Sequence, residues 1–107
     1  MSATPEGFSG RIILVAELEA KPDKVAEVED ALSKIKASAD SDAEPGCYTF
    51  RASKFGTKFV VYEEYENAAA IQAHSNTDAF KGASKVLAEA ASAPPKLGFY
   101  EELKTKL

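Results

Sequence analysis

Between Cys47 and Tyr65 the sequence reads CYTFRASKFGTKFVVYEEY, and this stretch limits the fold more than any other. Alternation along Cys47 to Lys54 puts Tyr48, Phe50 and Ala52 on one side and Thr49, Arg51 and Ser53 on the other. Phe55-Gly56-Thr57 is a turn and Lys58 to Tyr65 a second strand, so the pair is predicted to be a hairpin. Within it Tyr48, Phe50, Val60 and Tyr62 cannot share a face with Phe59, Val61 and Tyr65. Both faces of one hairpin are therefore apolar, and a single layer of helices can cover only one of them.

The flanking segments supply that layer. Arg11 to Ala20, RIILVAELEA, opens with five consecutive apolar residues, which fits a strand buried on both faces. Lys21-Pro22-Asp23 ends the strand and is expected to start a helix, with proline early, where its missing N–H costs little. Val25, Val28, Leu32, Ile35 and Ala39 form one apolar stripe along that helix, which stops in the polar run SADSDAEPG. After the hairpin, Asn67 can cap a short helix over 68–74, and Ser75 or Thr77 the next one. Phe80, Ala83, Leu87 and Ala90 stripe this second helix, Pro94-Pro95 halts it, and KLGFYEEL over 96–103 is a last strand.

The order is β-α-β-β-α-β, an α+β, ferredoxin-like arrangement of a four-stranded antiparallel sheet with helices on one face. The second sheet face needs cover, and the simplest cover is another copy of the chain, so a homodimer packed sheet against sheet is expected. Residues 1–9, rich in Ser, Gly and Pro, read as a flexible tail, and 10–107 as one domain.

Composition excludes several classes. The net charge is −4, and the 13 Lys and Arg are scattered, whereas nucleic-acid binding needs a concentrated basic face. One cysteine, Cys47, forms no intrachain disulfide and supports no Cys-based metal site. The start MSATPEGFSG has no signal-peptide pattern, and no apolar run approaches the roughly 20 residues of a membrane span. A soluble, cytoplasmic protein without membrane or nucleic-acid partners is the expectation. The pairs Glu63-Glu64 and Glu101-Glu102 point to opposite faces of their strands, so neither converges on a metal, and a single histidine argues against zinc.

Several segments in order resemble the antibiotic biosynthesis monooxygenase (ABM) domain family, a dimeric α+β barrel. They are the first strand running into Lys21-Pro22-Asp23, then Glu44-Pro45-Gly46-Cys47-Tyr48, then FVVYEEYENAAAIQAH, then Thr77-Asp78-Ala79-Phe80. The resemblance spans about residues 11 to 103. It implies a homodimeric, cofactor-free oxygenase that oxidises a small aromatic, phenolic or quinol-type compound with O2 in a pocket between sheet and helices. Residue by residue, the family's Glu falls on Glu63, its His on His74, and an aromatic that is often Trp falls on Tyr65. Haem-degrading relatives carry a histidine where this chain has Ser84 and an asparagine where it has Ala16, so no axial ligand for haem is supplied.

His74 is the only histidine, and a free imidazole titrates near about 6.5, where it can take or release a proton. A carboxylate would fix its tautomer and steady the imidazolium, and Glu63, at the end of the preceding strand, is the candidate partner. Alternatively His74 sits at a helix C-terminus favoured by the dipole, while Glu63 pairs with Arg51 or a lysine across the strands. Tyr48, Phe50, Tyr62, Phe80, Phe99 and Tyr100 could line a pocket for a flat ring together with Tyr65, or they could be core. The rival to an enzyme is a non-catalytic dimeric barrel that binds a small apolar ligand or acts in stress response. An enzyme requires His74 to face a cavity; the rival does not.

Overall fold

A computed structural model of the chain describes residues 7–103, so most of the expected tail, residues 1–6, lies outside the described residues. The elements are β1 (Ile12–Glu19), α1 (Val25–Ala39), β2 (Cys47–Phe55), β3 (Lys58–Tyr65), α2 (Ala68–Ser75), α3 (Asp78–Ala90) and β4 (Lys96–Glu101). The strands form one sheet in the order β2-β3-β1-β4, every neighbouring pair antiparallel. This is the expected α+β, ferredoxin-like arrangement, with the second helical region broken in two.

Each break has a local cause. Gly56, at φ 64°, takes the left-handed conformation that turns β2 into β3. The Asn67 side chain accepts a hydrogen bond from the Ala70 amide at the start of α2, and that of Thr77 accepts one from Phe80 at the start of α3. Lys21-Pro22-Asp23 behaves differently from expectation. It forms a turn, closed by the Lys24 amide on the Lys21 carbonyl, and α1 begins only at Val25. Proline thus precedes the helix and does not occupy its first turn.

The core lies between one sheet face and the helices. Ala16, Phe50, Phe59 and Val61 from the sheet pack with Val28, Leu32 and Ile35 of α1 and with Ala83 and Ala90 of α3. On β1 only alternate residues are buried: Ile12, Leu14 and Ala16 point to the helices, and Ile13 and Val15 are half-buried on the other face. That outer face also carries Val60, Tyr62 and Tyr100, all exposed. The expectation of a strand buried on both faces is therefore met on the helix side alone within one chain. Among the described residues no helix is long and apolar enough to cross a membrane.

Candidate active site

The site begins with an irregularity that simple alternation does not show. Cys47 lies opposite Tyr65 and Thr49 opposite Glu64, so Tyr48 is an extra residue in β2, a β-bulge. Beyond it the faces exchange. Phe50 points inward, opposite Glu63, and is buried, while Tyr48 is exposed beneath the Arg11 guanidinium, which sits 4.4 Å from its ring centroid. The expected grouping of Tyr48 with Phe50 on one face is thereby corrected. Arg11 also donates to Glu64 at 2.7 Å, on the outer face. Glu63, its neighbour in sequence, turns inward and is 6% exposed.

His74 arrives from α2. A β-carbon on Gly46 would lie 2.6 Å from Cβ of Ala70, so only glycine lets the strand entrance pass this close to the helix. The Gly46 carbonyl accepts a hydrogen bond from the Glu66 amide at 2.8 Å, tying the entry of β2 to the exit of β3. With α2 held there, His74 in its last turn faces inward and is 3% exposed. Its Nδ1 lies 2.5 Å from Oε1 of Glu44, which is 5% exposed, and Ser38 Oγ donates to the other oxygen of Glu44 at 2.5 Å. Its Nε2 lies 3.9 Å from Oε1 of Glu63, beyond hydrogen-bond reach. Tyr65, fully buried, donates its hydroxyl hydrogen bond to that same oxygen. The rings of Phe80, Tyr65 and Phe50 surround the imidazole with centroids 5.2, 5.5 and 5.9 Å away.

Glu63 and His74 do come together, but the carboxylate bonded to the imidazole is that of Glu44, which the sequence reading did not single out. The alternative pairing of Glu63 with Arg51 is absent, since Arg51 stands opposite Tyr62 on the outer face. Glu44 lies in the loop before β2, thirty residues from His74, and no spacing rule links them. An acidic residue just before Pro-Gly at a strand entrance was the available signal, and only the chain crossing gives it meaning.

Burial raises the pKa of the Glu63 carboxyl; the Tyr65 hydrogen bond and His74 draw it part of the way back, and Glu44 pushes it up further. The Tyr65 phenol is raised well above its ordinary value by burial and by Glu63. Burial, then Glu44 and Glu63, push the Cys47 thiol up to about 11, which disfavours the nucleophilic thiolate form.

Above this set lies a cavity of about 670 Å³ whose lining includes Leu14, Phe50, Val61, Phe80, Leu97 and Phe99. Among the described residues, Glu63 and His74 are its only titratable lining residues, and Ser75, Ser84 and Ser92 its other polar side chains. Of the predicted site residues, His74, Glu63, Phe50 and Phe80 thus line one space. Tyr65 stands behind Glu63, and Tyr48 and Tyr62 lie on the opposite sheet face, outside the cavity. The pleat explains Tyr62 and the bulge Tyr48. Among the described residues no three His, Cys, Asp or Glu side chains gather in a way that could hold a metal.

A buried histidine with two buried carboxyl groups at one wall of an apolar cavity is an arrangement that can serve proton transfer. Comparison with known proteins agrees in family. No curated protein matches the chain. Among solved structures it is similar to a proposed antibiotic biosynthesis monooxygenase from Caulobacter crescentus CB15, at 27% identity over 91% of this chain and 93% of that one, with a TM-score of 0.84. A protein of unknown function from Nitrosomonas europaea is 32% identical over 94% of this chain and 97% of that one, with a TM-score of 0.76. A second Nitrosomonas europaea protein, a proposed monooxygenase of the same kind, shares the fold at 24% identity over 91% and 95%, with a TM-score of 0.82. The family model for antibiotic biosynthesis monooxygenases matches residues 11–86, and the chain belongs to that family.

Proposed function

We propose that this chain is a cofactor-independent monooxygenase that oxidises a small phenolic or quinol-type compound with O2. The observation that carries the reading is the Glu44–His74 contact, which leaves Nε2 on the side of Glu63 and the cavity. Glu44 accepts from Nδ1–H and so fixes the tautomer in which Nε2 has a free lone pair. That nitrogen takes the proton of the substrate hydroxyl. The phenolate gives one electron to O2, and the phenoxyl radical and superoxide combine to form a C–O bond. The imidazolium returns its proton to the peroxide. Loss of the ring C–H proton and cleavage of the O–O bond then give a quinone and water, so one oxygen atom enters the product and the other leaves as water.

In this reading Glu63 faces the reacting ring and Tyr65 holds its carboxyl in place. Phe50 and Phe80 confine the ring, and the surrounding apolar wall excludes water. The outer sheet face, with Ile13, Val15, Val60, Tyr62 and Tyr100, supports a homodimer packed face to face. The deciding experiment supplies 18O2 and a panel of hydroquinones, naphthols and anthrones to the protein with no added cofactor. One labelled oxygen per oxidised product supports the reading. Binding of ring compounds without oxygen uptake would move the chain to the non-catalytic, ligand-binding alternative.

A further inference from the structure

The cavity is long, and its chemistry lies at one end. Along α3 it is lined by Phe80, Ser84, Leu87 and Ala88, and then by Ala91, successive turns of one helix face. The rise from Phe80 to Ala91 is about 16 Å. Along β1 the inward residues Leu14, Ala16 and Leu18 all line it, a run of about 13 Å. The register fixes its polarity: Leu14 pairs with Glu63 and with Phe99, whereas Leu18 pairs with Phe59 beyond the acid–base set. Small residues on facing elements, Ala16 on β1 with Ser84 and Ala88 on α3, keep the middle open.

The two ends differ in exposure as well as in charge. Glu63 and His74 are buried, but the lining at Pro94, Pro95 and Leu97 is exposed, Leu97 by 48%. The hydroxyl of Ser92 at that end is already given to the Glu19 carbonyl. A molecule reaching Glu63 from this open end passes a mostly apolar wall, with Ser84 as the polar side chain on the α3 side, and whatever follows its ring rests on that wall.

From this geometry we infer that the substrate is an elongated phenol, its ring at His74 and an apolar tail lying along Ser84, Ala88 and Ala91 toward Pro94-Pro95. This rests on the phenol-oxidising reading for the ring and adds the tail. The hydroxyl is the head group that enters first, and the tail contributes affinity through burial alone. A compact single ring fills only the inner part of the channel.

The test measures binding under argon, where no turnover occurs, by titration calorimetry with 4-alkylphenols from methyl to heptyl. The expected result is a dissociation constant that falls about threefold to fourfold with each methylene over most of the series. Ser84→Phe, with folding checked by circular dichroism, is expected to weaken the heptyl member at least tenfold more than the methyl one. Binding of 4-methylphenol with no gain on lengthening overturns the tail and leaves the phenol reading intact. Failure of every member to bind overturns both.

Discussion

Nδ1 of His74 lies 2.5 Å from Oε1 of Glu44, thirty residues earlier in the chain, with both side chains buried. The contact joins the loop after α1 to the last turn of α2, and it sets which imidazole nitrogen faces the cavity. Glu44→Gln removes the charge that favours Nδ1–H and steadies the imidazolium. Turnover is expected to fall by about two to four orders of magnitude, the range that a mis-set tautomer costs. Circular dichroism should show the fold retained, and an unchanged rate would remove Glu44 from the mechanism.

Glu63→Gln separates stability from activity. The carboxyl's pKa is raised by burial, so the folded state holds its proton more tightly than the unfolded chain. Its stabilising share is complete below the ordinary value of 4.5 and is lost as pH rises through the raised folded value. Glutamine does not titrate. The melting temperature of the variant is therefore expected to gain on that of the natural protein as pH rises above the ordinary value of 4.5, while oxygen uptake drops. Parallel melting curves above that value would contradict the assignment.

The order of elements, the hairpin, the helix caps at Asn67 and Thr77, and the inward turn of Glu63 against the outward turn of Glu64 were all legible, because each follows from local periodicity or side-chain chemistry. The placing of Phe50 was not. A bulge at Tyr48 changes the parity of the strand, and CYTF carries no glycine or proline to announce it. Glu44 was hidden for another reason: its role depends on α2 crossing the entrance of β2, a tertiary event that no spacing encodes.

That crossing makes Gly46 a positioning residue. Gly46→Ala sets a methyl against Cβ of Ala70, 2.6 Å away, and must displace α2 together with His74. Overpacking of this kind costs about 1–3 kcal/mol. The activity loss should exceed what unfolding explains, and the second change Ala70→Gly should restore much of it. No rescue in the double variant, by steady-state kinetics, would count against steric displacement of α2.

The outer sheet face can be tested without touching the cavity. Tyr62 lies there, opposite Arg51 and Val15, 39% exposed. Light scattering should give twice the 11.4 kDa chain mass for the natural protein and a shift toward 11.4 kDa for Tyr62→Asp. A natural protein that scatters as a monomer would rule out the face-to-face dimer.

The most direct measurement follows oxygen uptake by the natural protein and by His74→Ala, with the same phenolic substrate and no added cofactor. The expected result is uptake matched to product by the natural protein and a loss of about two to four orders of magnitude in the variant. Equal rates in the two proteins, or no uptake by the natural protein with any of the phenols, quinols and anthrones, would contradict the role of His74 as the base.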